Sequence, residues 1–154
     1  MKKVILFILV LVLLTGVGTC IYFAGNVSAV LPPIKEYGYQ GNMNQLIYKM
    51  KVFDSTESNL TLRVGEPLGN KSIGYAYEIT LKIKDGSQDL LYELKFEDLD
   101  RIKTKVLLIG AHNLTNDTGG YGIKAIGMKI LLDKFDSEFL SPFKKDAFIT
   151  ITPL

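Results

Sequence analysis

The sequence contains a single cysteine among its 154 residues. Cys20 lies inside a hydrophobic N-terminal run, so the rest of the chain has no thiol and cannot form an internal disulfide. This excludes thiolate catalysis, zinc sites built with cysteine and iron-sulfur ligation from that part of the protein. Packing alone is expected to stabilise it, because covalent or metal staples become necessary mainly below about 40 residues.

Histidine is equally scarce, and His112 is the only one. It stands in the segment GAHNLTNDTGGYG, which spans 110–122. A Ser-His-Asp or Cys-His arrangement needs a histidine with positioned partners, and no spacing around His112 indicates one. The sequences HExxH, GxSxG, GxGxxG and the P-loop are also absent. We therefore predict no catalytic residue, metal ligand or cofactor, and interpret His112 as a surface or turn residue.

One group of acidic residues has the side chains that calcium sites use. Glu97, Asp98 and Asp100, together with Asn116 and Asp117, would supply oxygen ligands to Ca²⁺ if folding brought them close. Their spacing differs from that of an EF-hand loop, so the sequence favours solvated strand ends.

Net charge is almost absent from the body of the protein. The formal charge of +2 comes from Lys2 and Lys3, since the remaining residues carry 16 basic and 16 acidic side chains. A nucleic-acid binder usually shows a basic stripe that neutralises phosphates. The balanced composition therefore predicts no nucleic-acid partner.

One long hydrophobic run is present at the N-terminus. Val4 to Ala24 is 21 residues without a charge, and about 20 apolar residues are enough to cross a bilayer. Lys2 and Lys3 precede it, which predicts that residues 1–29 form a single-pass signal anchor, or a signal peptide, with the C-terminal part outside the cell membrane. The small residues Val27, Ser28 and Ala29 leave open cleavage near Ala29 and secretion.

The remaining chain is predicted to hold a connector, 30–44, and one β-rich domain, 45–154. Leu31-Pro32-Pro33 favours an extended spacer. Period-two alternation predicts strands with one wet face, and the short Gly-containing turn DGSQD joins two of them in a hairpin. The alternating apolar sets are Leu46, Tyr48, Met50 and Val52; Leu60, Leu62 and Val64; Tyr75, Tyr77, Ile79, Leu81 and Ile83; Leu90, Tyr92, Leu94 and Phe96; Ile102, Val106 and Leu108; and the stretch AFITIT, 147–152.

Residues 121–140 fit helical and strand periodicity equally well, so their type stays open. With six or seven strands and no exterior cysteine, the best architecture is mainly β, an antiparallel β-sandwich of immunoglobulin-like or related form.

Asparagine occurs in a distinctive context. Five of the seven asparagines begin an Asn-x-Ser/Thr triplet, although chance predicts fewer than one from 17 serines and threonines in 154 residues. Such triplets accept N-glycans on an exterior surface, in agreement with the predicted topology. Asn26 lies close to the apolar run, so the predicted glycosylation sites are Asn59, Asn70, Asn113 and Asn116.

These observations predict a membrane-anchored cell-surface domain with a binding or structural role, rather than an enzyme. Its partners would be the membrane, through residues 4–24, and a protein or surface glycan. Two alternatives remain: a secreted or anchored hydrolase that uses carboxylates, and an accessory subunit whose transmembrane helix pairs with a larger membrane complex. The sequence does not specify an oligomeric state.

Overall fold

A computed structural model describes residues 32–70, 74–100 and 102–154. The predicted membrane-spanning segment, the Asn26 triplet and the predicted cleavage site near Ala29 lie outside those ranges. Residues 32–154 form one compact unit. Its elements, in chain order, are β1 (Lys35–Gln40), α1 (Met43–Thr56), β2 (Leu60–Val64), β3 (Leu68–Asn70), β4 (Gly74–Asp85), β5 (Gln88–Asp100), β6 (Lys103–Asn113), β7 (Thr118–Gly120), α2 (Met128–Lys134), a π-helical segment (Phe135–Leu140), α3 (Ser141–Asp146) and β8 (Ile151–Pro153).

The strands form an antiparallel sheet in the order β2-β4-β5-β6-β1-β8, with β3 beside β4 and β7 beside β6. The prediction of a mainly β, antiparallel domain is confirmed. The predicted hairpin is β4 and β5, whose residues Ile83 and Leu90 face each other across the pair. Gly86, with φ +60°, supplies the left-handed backbone that the tight turn requires.

One face of the sheet is apolar and packs on helices. Alternate residues of β4 and β5 are buried there, as the period-two pattern predicts; they are Ile79, Leu81, Ile83, Leu90, Tyr92, Leu94 and Phe96. In place of the second sheet expected of a sandwich, α1 and the helical segment 128–146 cover this face in the part of the chain that the structure describes. The opposite face, called here the open face, carries Glu78, Thr80, Glu93 and Lys95.

The strand predicted from Leu46, Tyr48, Met50 and Val52 is wrong, because these residues belong to α1. The buried positions of α1 are Met43, Leu46, Ile47, Met50 and Phe53, which follow helical and not alternating spacing. Asn42 caps the helix, and its side-chain oxygen accepts a hydrogen bond of 2.9 Å from Gln45 N. Tyr48 and Val52, which suggested a strand, lie on the exposed side of the helix.

The connector expected over 30–44 includes a strand of the sheet. β1 lies between β6 and β8, and Tyr37 and Tyr39 are buried against the helical layer. The predicted strand from Ile102 to Leu108 corresponds to the first half of β6. In the predicted final strand, AFITIT, only Ile151 and Thr152 belong to β8, because Ala147 still closes the end of α3.

Residues 121–140, whose type the sequence left open, form a loop followed by helix. The helical segment runs from Met128 through the π-helical turns to Asp146. It places Phe135, Phe139 and Phe143 in a row on its buried side. Phe139 stacks on Phe143 with a centroid distance of 5.3 Å, and both rings contact Phe53 of α1. These aromatic contacts join the two helical parts of the core.

Candidate functional site

A concavity of about 220 Å³ lies on the open face, over β4, β5 and β6. Tyr121, which follows β7, closes one side of it. The lining residues are Glu78, Ile79, Thr80, Glu93, Leu94, Ile109 and Tyr121. Carboxylates, a hydroxyl and an aromatic ring thus meet above a floor of strand backbone, and such a mixture suits the binding of a polar ligand.

Glu93 occupies the centre of this site because of its neighbours in the sheet. It faces Thr80 on β4 and Gly110 on β6. A β-carbon at position 110 would collide with Glu93 Oε2, so the glycine provides the space for the carboxylate. The β5–β6 register shifts next to Glu93 and leaves Ile109 as an extra residue on β6. Such a bulge re-aims the side chains beside it.

The Glu93 carboxylate is incompletely satisfied. Its Oε2 atom is buried and makes no hydrogen bond of normal geometry with the described residues, although the Tyr121 hydroxyl lies close enough to the carboxylate to interact with it. The Nε2 atom of His112 lies 3.8 Å from Oε2, beyond the range of a hydrogen bond. Most buried polar atoms in proteins have a partner, so an acceptor without one marks a place where a donor from outside would be stabilising.

Two further side chains border Glu93. The His112 ring meets the Tyr121 ring edge to face, with centroids 5.2 Å apart. The pKa of the Tyr121 hydroxyl is raised, first by hydrogen bonding toward the Glu93 carboxylate, then by partial burial and by the negative charge of Glu93. Tyr121 therefore keeps its proton and can act as a hydrogen-bond donor at neutral pH.

A second carboxylate shares the concavity. Glu78 faces Lys95 on β5 and is the diagonal neighbour of Glu93 on the same face. Diagonal positions of an antiparallel pair place side chains roughly 7 Å apart. The two glutamates are therefore able to contact one small ligand together.

His112 lies within β6, opposite Gly119 of β7, and so belongs to a strand and not to a turn. Its segment, 110–122, forms the β6–β7 hairpin. The sequence indicated neither this hairpin nor Glu93, because the site depends on which residues of distant strands face each other. Two features of the sequence pointed toward the site: Glu93 lies on the solvent-facing side of a predicted strand, and His112 and Tyr121 lie next to glycines.

The predicted glycosylation sites have different surroundings. Asn59 is exposed in the turn between α1 and β2, and Asn116 is exposed in the β6–β7 turn. Asn113 is only 7% exposed, and its side-chain oxygen accepts hydrogen bonds from Thr115 N at 3.0 Å and Asn116 N at 3.1 Å. Asn70 ends β3, and its triplet continues outside the described residues. Use of these sites remains a prediction, and burial favours Asn116 over Asn113.

The acidic groups considered for Ca²⁺ are far apart. Glu97 faces Lys105 near the start of β6, whereas Asn116 and Asp117 follow its end at Asn113. Eight strand residues separate these levels, or roughly 26 Å at 3.3 Å per residue. Among the residues that the structure describes, no three His, Cys, Asp or Glu side chains are grouped so that they could hold a metal ion.

Comparison of the chain with protein-family models, curated proteins and solved structures finds no match. Within the described ranges, no helix has the length and hydrophobicity needed to cross a membrane. The predicted anchor, Val4–Ala24, precedes those ranges.

Proposed function

We propose that the protein is a single-pass, membrane-anchored exterior domain that binds a partner at the concavity on the open face of its sheet. The apolar run behind two lysines and the excess of Asn-x-Ser/Thr triplets support the exterior location. The mixed polar lining of the concavity supports a binding role.

The observation that carries the binding proposal is the buried Oε2 atom of Glu93, which makes no hydrogen bond of normal geometry within the described part of the chain. Leaving such an acceptor unpaired costs about 1–3 kcal/mol. A sugar hydroxyl or a protein ammonium group would satisfy it, and the ring of Tyr121 offers either ligand a flat apolar surface. A surface glycan and a protein are therefore the fitting partner classes.

The test is a titration of the labelled domain with neutral oligosaccharides and with lysine-containing peptides, followed by amide NMR. A ligand that binds should shift the amide signals of Gly110 and His112. The Glu93→Gln variant should bind it at least about tenfold more weakly, which corresponds to a loss of about 1.4 kcal/mol in binding free energy. Glu97→Gln is the matched control, because Glu97 lies on the same strand and face but pairs with Lys95 at 2.7 Å. Equal binding by wild type and Glu93→Gln would overturn the proposed site.

Anchoring has a separate test. Replacing Val4–Ala24 with a cleavable leader should release a folded, soluble domain into the medium, whereas the natural chain should remain with the membrane. A natural chain found entirely in the medium would contradict the anchor and favour secretion after cleavage near Ala29.

A carboxylate-dependent hydrolase is the second candidate, because Glu78 and Glu93 line the same concavity. Their diagonal positions place the two residues roughly 7 Å apart along the sheet, and a glycosidase needs two carboxyl groups that flank its substrate. If the domain hydrolyses glycosides, Glu78→Gln and Glu93→Gln should each lower kcat by about 10²-fold or more, whereas Glu97→Gln should not. Absence of turnover on a broad set of glycosides would leave binding as the function.

A further inference from the structure

Three exposed isoleucines occur in the stretch that leads from β7 to the first turn of α2. Ile123, Ile126 and Ile130 are 59%, 80% and 65% exposed, respectively, and are called here the isoleucine patch. Lys124 and Lys129 are exposed beside them. From Thr118 to Leu132 these two lysines are the only charged residues; Asp117 and Asp133 stand at the borders.

The backbone under the patch is held by hydrogen bonds. Gly119 N donates to Ile126 O at 2.8 Å, and Ala125 N donates to Gly122 O at 3.2 Å. On the inner side, Met128 is 2% exposed and belongs to the core. The isoleucines are thus presented outward by an ordered segment, while neighbouring apolar residues already fill the core. A surface of this composition is typical of an interaction site.

The position of the patch follows from the edge of β6. Gly120 of β7 faces Ala111, and Lys35 of β1 faces Leu108, so both strands lie on the same edge of β6. The chain therefore leaves this edge of β6 at Gly122, close to the point where Ile34 joins the same edge. The first strand of the described chain therefore begins on the same edge of the sheet as the segment that carries the isoleucine patch.

The connection to the anchor is short. Eight residue steps separate Ala24, the end of the apolar run, from Pro32. An extended chain of that length reaches roughly 28 Å at most. This tether keeps the patch at a high effective concentration next to the bilayer, so a weak contact is sufficient for docking. Exposed isoleucines with flanking lysines match the apolar and anionic layers of a lipid surface.

We propose that the isoleucine patch docks the domain onto an anionic phospholipid bilayer, with Ile123, Ile126 and Ile130 in the interfacial layer and Lys124 and Lys129 near lipid phosphates. This inference rests on the proposed membrane anchoring, and it adds an orientation: the end of the domain where the chain enters lies against the membrane.

The experiment uses the full chain with Cys20→Ser, reconstituted in vesicles of phosphatidylcholine and phosphatidylglycerol. Ile126→Cys carries an environment-sensitive fluorophore. Phe148→Cys is the matched control, since Phe148 is 94% exposed and precedes β8, whose first residue faces Tyr39 near the far end of β1. Circular dichroism verifies that both labelled chains fold.

The proposal expects the Ile126 label to shift to the blue, to be quenched by spin-labelled lipid and to lose quenching by aqueous iodide. The Phe148 label should remain accessible to iodide. Replacing Lys124 and Lys129 together by glutamate, or using vesicles of phosphatidylcholine alone, should reduce the lipid quenching at Ile126. These results together would support docking.

Other outcomes would overturn it. A label at Ile126 that is shielded from iodide but not quenched by lipid would assign the patch to a protein partner or a second copy of the chain. Equal lipid quenching at Ile126 and Phe148 would contradict the orientation. If the chain floats with the vesicles while its Ile126 label stays in water, docking is refuted but membrane anchoring still stands. If the chain does not float with the vesicles, both docking and anchoring are refuted.

Discussion

Tyr92 connects the sheet to the helical layer and makes a sharp prediction about stability. The ring is fully buried, and its hydroxyl donates a hydrogen bond of 2.9 Å to the carbonyl oxygen of Leu131. Tyr92→Phe removes that hydrogen bond and leaves the packing of the aromatic ring in place. The Leu131 carbonyl keeps a backbone bond from Phe135 N, so the expected loss of unfolding free energy at pH 8 is about 1 kcal/mol.

The same substitution should have the opposite effect at high pH. Burial raises the pKa of Tyr92 well above its ordinary value of 10.0, and the charges of Asp85 and Glu138 raise it further. Above pH 10 the unfolded chain loses the Tyr92 proton while the folded chain retains it, so stability falls as pH rises. The slope for one tyrosine is about 1.4 kcal/mol per pH unit. The variant lacks this contribution, and its stability curve should cross that of the wild type near pH 11.

Urea unfolding of the chain from Val30 onward, followed by circular dichroism between pH 8 and pH 11.5, measures both effects. Burial also raises the pKa of Tyr37, which lowers both curves as pH rises, so the difference between wild type and variant is the quantity of interest. Tyr48→Phe, at an exposed ring of α1, is the control and should leave the curve unchanged. Wild-type and Tyr92→Phe curves that remain parallel up to pH 11.5 would refute the reasoning.

Three further predictions concern glycine, the aromatic core and the glycan sites. Gly119→Ala should lower the free energy of unfolding by more than about 3 kcal/mol, because the new β-carbon would collide with the Ala111 carbonyl oxygen and with Leu131 Cδ1. Gly122→Ala is the control: Gly122 also has a positive φ but faces open space, so the loss should be only about 1–2 kcal/mol. Phe139→Ala should cost about 3–5 kcal/mol and lower Tm by at least about 6 °C, since the ring contacts three other phenylalanines. If the native protein is glycosylated at this turn, Asn116→Gln should remove one glycan mass and Asn113→Gln none; the reverse mass pattern would contradict the burial argument.

The sheet was largely predictable, and the helices were not. From Glu78 to Lys84 in β4 and from Leu90 to Glu97 in β5, buried residues alternate with less buried ones. Ile79, Leu81 and Tyr92 therefore fell on the correct face from sequence alone. In α1 the apolar residues Tyr48 and Val52 lie on the exposed side and imitate alternation with Leu46 and Met50. Helix identity there depended on burial at Ile47 and Phe53 by a layer that the sequence did not indicate.

The candidate site was less predictable than either. Glu93 is one of 16 acidic residues, and only the pairing of β5 with β6 distinguishes it. That pairing contains a bulge at Ile109, which has no signature in the local sequence and changes which residue faces Glu93. Glu78 and Glu93 are brought together by strand register and not by sequence spacing, so no motif in the sequence marks the pair.

The position of β1 has a consequence for how an exported chain would fold. One neighbour of β1 is β6, and the other is β8, whose Ile151 faces Tyr39 from over a hundred positions downstream. When a chain emerges from its N-terminal end, β1 is present long before either neighbour. Contacts of such long sequence separation form slowly, so β1 stays unpaired until β6 has emerged, and it lacks its second neighbour until residues through Pro153 have emerged. We therefore expect β8 to dock as a late step in assembly and, if the chain is exported as proposed, we expect export in an unfolded state.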